Sequence, residues 1–277
     1  YNYMNFNAYK MDGLGNDFVI IDSRSNKIDL SNDQIIKICD RSIIGCDQLI
    51  IIDNCNIADA SLVFYNSDGS ESGACGNGTR CAAYLISEEN NKKDINLVTK
   101  SGILSSKILG KNLVETVIGK AKTYWKEIPI SKELNTKNLN LKIKDKYSLD
   151  HVGGTAVNVG NPHVVFFVKN LDSFNLKEIG PDLERNELFP ERCNVTLAKV
   201  ESNKKISVKV WERGAGLTKA CGSAACATAF AGKINNLTVN NVDVTFELGE
   251  LSISIDDKDF IKMKGPVSNI KKIEIKL

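Results

Sequence analysis

Apolar and polar positions change period several times along the chain, and each change marks an element. After the polar turn at residues 12–17, Phe18-Val19-Ile20-Ile21 is an apolar run of strand length. Ser31 then precedes a polar triplet and apolar residues at helical spacing, which predicts a capped helix ending near Gly45. The run at 49–52 and the alternating stretch 60–65 read as strands, and 66–71 as a polar turn. A helix is predicted from about 78 to 88, with strands at 95–99, 103–109 and 113–118. Residues 123–150 are polar and lysine-rich, and read as a linker and an edge segment of a second half, its lysines a solvated face. The strand pattern resumes at 155–159, turns at 160–163, and continues as the apolar run 164–167. A helical stretch precedes Arg192-Cys193-Asn194-Val195, and a strand at 206–211 ends in the turn 212–216.

The order of these elements repeats, and so do particular residues. Gly73-Ala74-Cys75-Gly76-Asn77 and Lys219-Ala220-Cys221-Gly222-Ser223 both read as a tight turn feeding a helix N-terminus, and the cysteines are 221 − 75 = 146 residues apart. At nearly the same offset Gly15-Asn16 meets Gly160-Asn161, Gln48 meets Asn194, and Asn66 meets Glu212. Ser101-Gly102-Ile103-Leu104 is echoed by Leu248-Gly249-Glu250-Leu251 after a slip of one residue. The chain reads as two copies of one half, and its 277 residues are enough for each copy to bury a core.

Charge adds little, because a formal net charge of +2 makes no case for a nucleic-acid or membrane-surface partner. No apolar run has the length of a membrane span, and the start carries no basic segment followed by an apolar one. A soluble, cytoplasmic protein without a signal peptide is therefore expected, with residues before Met4 set aside from the fold. The eight cysteines include no Cys-x-x-Cys pair and are expected to be reduced. With only two histidines, no metal is implied. Gly13-x-Gly15 lacks the third glycine of a dinucleotide turn, and Gly119-Lys120 lacks the flanking residues of a phosphate loop.

The chemistry therefore rests on the repeated thiol. A cysteine at a helix N-terminus meets unpaired N–H groups and the positive end of the macrodipole, which favour a thiolate and an anionic ligand alike. Two halves folded alike and facing one cleft would set Cys75 and Cys221 on opposite sides of a carbon acid, one to take its proton and the other to supply a new one. Asn16 with Asn161, Gln48 with Asn194, and Asn66 with Glu212 would line that cleft. A non-catalytic thiol protein, either a redox sensor or a metabolite binder, fits the cysteines as well. Cys39, Cys46 and Cys55 have no echo and read as packing residues.

Taken in order, Gly13-Leu14-Gly15-Asn16-Asp17-Phe18, Asn66-x-Asp68-Gly69-Ser70-Glu71, Cys75-Gly76-Asn77-Gly78-x-Arg80-Cys81, Gly160-Asn161-Pro162-His163, Pro190-Glu191-Arg192-x-Asn194-Val195, Trp211-Glu212-Arg213-Gly214 and Ala220-Cys221-Gly222 resemble diaminopimelate epimerases. The resemblance runs from about Phe6 to the C-terminus. It implies an α+β fold of two pseudo-symmetric lobes of mixed β-sheet, each around a central helix, with the active-site cleft between them. The lobes it implies are residues 1–121 with 267–277, and 122–266. It further implies a cofactor-independent isomerase that interconverts LL- and meso-diaminopimelate in lysine and peptidoglycan precursor synthesis, with Cys75 and Cys221 catalytic. Asn16, Gln48, Asn66, Gly76, Asn77, Asn161, Asn194, Glu212, Arg213, Gly222 and Ser223 match the family's substrate-binding positions. His163 is read either as orienting a neighbouring acid or as a satisfied structural histidine. Asp12 departs from the pattern, standing where the family's Met-His-Gly would place a histidine. A proline or hydroxyproline racemase, with the same two-thiol chemistry, is the alternative enzyme; Glu212, Arg213 and the asparagines argue for a substrate with a second amino-acid head. The oligomeric state is left open, a homodimer among the options.

Overall fold

A computed structural model describes residues 3–73 and 75–277; Tyr1, Asn2 and Ala74 lie outside the described residues, so the set-aside start of the chain is followed only from Tyr3. The chain divides into two compact units, Tyr1–Val117 with Lys264–Leu277, and Ile118–Met263. The elements run β1 (Asn5–Gly13), β2 (Asn16–Asp22), α1 (Asn32–Cys39), β3 (Gln48–Asp53), β4 (Ala60–Asn66), β5 (Glu71–Ser72), α2 (Gly76–Asn90), β6 (Asp94–Thr99), β7 (Gly102–Gly110) and β8 (Leu113–Lys120). There follow β9 (Leu141–Lys144), β10 (Asp150–Gly153), β11 (Thr155–Asn158), β12 (Pro162–Phe167), α3 (Leu176–Glu184), β13 (Asn194–Ser202), β14 (Lys205–Glu212) and β15 (Gly216–Thr218). The chain closes with α4 (Gly222–Ile234), β16 (Asn241–Phe246), β17 (Gly249–Ile255), β18 (Phe260–Pro266) and β19 (Lys271–Lys276).

The repeat is one of pairing as well as of order. β1 and β2 are antiparallel, β2 and β3 parallel, and β3 and β4 antiparallel. β11 with β12, β12 with β13, and β13 with β14 pair in the same three senses. On its other edge β4 is shared, with β6 at Ala60–Ser61 and β5 at Phe64–Tyr65. β14 is shared the same way, with β16 at residues 205–207 and β15 at residues 210–212. The short strand in each unit lifts the chain off the sheet and delivers it to a helix, α2 or α4. Register repeats too: Phe18 faces Gln48, and His163 faces Asn194.

In the first unit, helices cover both faces of the sheet. Phe18, Ile20, Ile50 and Ile52 pack with Ala82, Ala83 and Ile86 of α2, while Val19, Ile21 and Leu49 pack with Ile35 and Ile38 of α1. Burial on both faces is why residues 18–21 form an unbroken apolar run instead of alternating. The cap of α1 follows the sequence pattern: Gln34 N donates to Ser31 Oγ (3.3 Å) and Ser31 N to Gln34 Oε1 (2.9 Å). The helix nevertheless ends at Cys39, short of the expected Gly45, because Asp40 Oδ1 accepts both the N–H and the hydroxyl of Ser42 at 2.8 Å and turns the chain. Cys39 and Cys46 are buried beside that turn with their sulfurs 3.5 Å apart; Cys55 is partly exposed.

The stretch 123–150 is not a linker. Ile128, Ile130, Leu139 and Ile143 are buried in the second unit's core with Phe166 and Leu197, and β9 and β10 form a hairpin. Lys142 and Lys144 on that hairpin pair with Asp150 and are exposed, as a solvated face requires. The approach of α2 to its sheet depends on Gly78, where a Cβ would lie 2.8 Å from Phe64 and 2.9 Å from Ile50. Its echo is Ala224, fully buried in the unit that has Val210 where the first has Phe64. β19 returns to the first unit antiparallel to β1, and Met4 and Leu277 exchange backbone bonds of 2.9 and 2.8 Å. Among the described residues no helix is long and apolar enough to cross a membrane.

Candidate active site

Each cysteine is the N-cap of its unit's buried helix. Cys75 (φ −107°, ψ 126°) and Cys221 (φ −142°, ψ 112°) are extended, and the first-turn N–H groups of Gly76 and Asn77, and of Gly222 and Ser223, have no acceptor within their own helix. The last residues of β4 and β14, Asn66 and Glu212, each stand nine positions before the cysteine of their unit.

In the first unit the predicted polar residues fall into two hydrogen-bonded groups, Asn16 with Cys75 and Asn77, and Gln48 with Asn66. The Cys75 thiol donates to Asn16 Oδ1 (3.5 Å), which also accepts from Asn77 Nδ2 (3.2 Å). Asn16 Nδ2 donates to Asp47 (2.9 Å), fixing both ends of its amide. The fully buried Arg80 guanidinium donates to Asn77 Oδ1 (2.9 Å) and so aims the Asn77 amide at Asn16. Gly13 permits this approach, since a Cβ there would stand 3.1 Å from Arg80 Nη2. Arg41 bridges Asp17 and Asp47; burial alone would raise the Asp17 carboxyl, but the bonds from Arg41 and the Asp47 N–H hold it below its usual value. Gln48 Nε2 donates to Asn66 Oδ1 and Ser72 Oγ, both at 3.1 Å, so Gln48 and Asn66 meet across adjoining strand ends. Asp12 accepts from the Gly15 N–H (3.4 Å) and steadies the turn before Asn16.

The second unit is built alike but carries charge. Burial first, and then the Glu212 carboxylate that accepts its hydrogen bond, push the Cys221 thiol well above its ordinary value; bonds from Ser223 and the Ala224 N–H pull the other way and lose. The helix terminus expected to favour a thiolate is thus outweighed here, and Cys221 rests as a thiol. His163 is fully buried, and burial, then Arg213, lowers its pKa to about 3, so the ring is neutral. Its Nε2 lies 2.8 Å from Asn161 Oδ1 and 3.1 Å from Ser223 Oγ, while Nδ1 is buried without a hydrogen-bond partner. The ring therefore steadies an amide and a hydroxyl, with no acid bonded to it. Asn161 Nδ2 donates to Ser223 Oγ (3.3 Å), and Ser223 Oγ is 3.4 Å from Cys221 Sγ. Asn194 donates to Pro162 O (3.0 Å) and accepts from the Arg213 N–H (2.8 Å), tying the turn after β14 to the start of β13.

The sequence pointed to the residues clustered around each thiol and missed those that hold them. Arg80, Asp47, Arg41 and Glu184 carry no echo at the repeat offset. Arg80 alone had a signal, a cationic residue within the Ala-rich run after Cys75. Among the described residues no group of three or more His, Cys, Asp or Glu is placed to hold a metal ion.

Comparison with known proteins agrees with this geometry. The chain is 62% identical over 274 residues to a diaminopimelate epimerase of Pelagibacter ubique, covering 99% of this chain and 100% of that one. It is 39% identical over 260 residues to one of Acidiphilium cryptum, covering 94% and 92%. In fold it is similar to a hydroxyproline epimerase from Agrobacterium vitis (TM-score 0.71, 9% identity, 99% and 93% covered) and to a phenazine biosynthesis protein of the PhzF family from Bacillus anthracis (0.66, 18%, 98% and 99%). A model of the diaminopimelate epimerase family matches residues 8–124 and 155–270, one stretch for each half of the repeat. With thiol N-caps at both repeat positions inside those stretches, the chain belongs to the diaminopimelate epimerase family.

Proposed function

We propose that this protein interconverts LL- and meso-diaminopimelate without a cofactor, in lysine and peptidoglycan precursor synthesis, with Cys75 and Cys221 exchanging the α-proton. The observation that carries the reading is the duplicated thiol N-cap. Inversion at a carbon acid needs a base on one face and an acid on the other, and the repeat supplies one such group per unit. The α-proton of an amino acid is weakly acidic, so the carbanion must be stabilised where its charge spreads into the carboxylate. First-turn N–H groups of Gly76, Asn77, Gly222 and Ser223 are suited to that carboxylate. Asn66, Asn161, Asn194 and Arg213 hold the distant carboxylate and Glu212 an ammonium, while Asn16 and Gln48 complete the polar lining.

The resting protonation of Cys221 suits the direction in which it delivers its proton and Cys75 receives one; the reverse direction starts from the opposite assignment. Reduced thiols are required throughout, which makes the cytoplasm the fitting compartment.

The test is proton accounting in deuterated water. At early times the product from either stereoisomer should carry solvent deuterium, and the recovered starting isomer almost none, because the abstracting thiol holds the substrate's own proton. Cys75→Ala and Cys221→Ala should each abolish inversion in both directions. Retention of the original proton in early product would reveal a single base and end the two-thiol reading. Turnover of proline equal to that of diaminopimelate would end the substrate assignment.

A further inference from the structure

The turn that carries Glu212 and Arg213 is held from below by a carboxylate that the proposed chemistry does not use. Glu184, the last residue of α3, is 5% exposed. Its Oε1 accepts the indole N–H of Trp211 at 2.9 Å and the backbone N–H of Gly214 at 3.4 Å; its Oε2 accepts Arg192 Nη1 at 3.4 Å. Trp211 and Gly214 flank Glu212-Arg213 on either side, so one buried carboxylate grips both ends of the dipeptide. The ring of Trp211 is fixed independently: a Cβ on Gly180 of α3 would lie 2.5 Å from it, and one on Gly216 3.4 Å. Arg192, at φ +61°, turns the chain into Asn194, whose Oδ1 accepts the Arg213 N–H. Arg213 Nη1 donates to Glu191 O at 3.0 Å on the same segment.

We infer that Glu184 is a positioning residue of the active site: by clamping Trp211, Gly214 and Arg192 together, it sets the aim of Glu212 toward the Cys221 thiol and of Arg213 toward the substrate. This rests on the proposed function for its kinetic consequence but not for its geometry. A carboxylate suits the position because three donors from three segments converge on it, and a buried anion receiving three hydrogen bonds resists displacement. The first unit has no counterpart of this clamp at the repeat positions. At the offset of 146, Glu184, Arg192 and Trp211 correspond to Ile38, Cys46 and Tyr65, and that unit's strand ends in neutral Asn66. The clamp therefore accompanies the charged turn.

The inference is tested by comparing Glu184→Leu, which removes the acceptor, with Glu184→Gln, which keeps Oε1 for Trp211 and Gly214. Two readouts are taken: KM and kcat for diaminopimelate, and the pH dependence of iodoacetamide alkylation at Cys221, mapped by peptide mass. The groups bearing on that thiol are Glu212, Ser223 and the Ala224 N–H. For Glu184→Leu, KM should rise about tenfold or more as Arg213 loses its aim, and the alkylation midpoint should move to lower pH as Glu212 swings off the thiol. Glu184→Gln should recover most of both. If Glu184→Leu does not fold, Trp211→Phe removes the indole N–H and keeps a smaller aromatic ring, and should shift both readouts in the same directions by less. A lowered melting temperature with unchanged KM and unchanged alkylation midpoint would make Glu184 structural only and overturn the inference. Alkylation needs no substrate, so a wild-type protein inactive on diaminopimelate would defeat the proposed function and leave this test standing.

Discussion

A fully buried histidine bonded to an amide and a hydroxyl has a consequence for stability that can be signed. His163 has a folded pKa of about 3 against an ordinary value of 6.5. Above 6.5 both states are neutral and the group contributes nothing to pH dependence. As pH falls below 6.5 the unfolded chain takes up a proton that the folded one refuses, so stability declines toward pH 3. One proton bound only by the unfolded state costs about 1.4 kcal/mol per pH unit. Urea unfolding at pH 7.5 and at pH 5 should therefore show wild type losing about 2 kcal/mol more than His163→Gln over that interval. Asp17 and Asp22, whose folded values lie below 3.8, lose their contributions at lower pH than this window. Equal losses in the two proteins would show that the histidine takes up its proton while folded. At this scale the sequence disclosed the candidate site groups that cluster around each thiol, because the repeat duplicates them. It did not disclose their supports. Arg80 and Glu184 are ionisable side chains held inside by partners distant in the chain, Pro266 O for Arg80 and Trp211 for Glu184, and no local pattern announces such a pairing.

Elements were most readable where one residue type decides a local conformation. Ser31 with Gln34 located the start of α1, and each Ala-Cys-Gly located a helix that begins immediately after its cysteine. Where the deciding contacts are tertiary the reading failed, and residues 123–150 are the example. Ile128, Ile130, Leu139 and Ile143 are single apolar residues among lysines and asparagines, with no period to betray that each enters the core. The family model passes over residues 125–154 as well. The helix bearing Cys75 is sensitive to volume at one point. Gly78→Ala would place a methyl within 3.0 Å of Phe64, Ile50 and Phe18, and the overpacking should cost about 1–3 kcal/mol, more than the helix propensity of alanine returns. Denaturant midpoints decide it: a Gly78→Ala protein as stable as wild type would mean the three side chains repack at no cost. Combining it with Phe64→Val, which imitates the second unit's Val210, should restore most of the loss.

For the molecule as a whole, the duplication was legible because it is written in spacing, and spacing survives when the residues change. Gly102 and Gly249 each open the second strand after the repeat helix, at φ +100° and +148°, although few of their neighbours match. The destination of the last strand was not legible from its own pattern, since nothing in Lys271-Lys272-Ile273-Glu274-Ile275-Lys276 names β1 as its partner. That partnership bears on how the protein is made. Residues 118–263 are contiguous, so the second unit has all its chain before the first does. β1 is synthesised early and waits for β19 until nearly the whole chain has left the ribosome. Meanwhile its outer edge is an unpaired template for any passing strand. Nascent chains arrested with residue 263 just outside the exit tunnel should resist protease across residues 118–263 and remain cleavable near β1. Protection of β1 at that stage would mean that some earlier segment shields the edge until its late partner arrives.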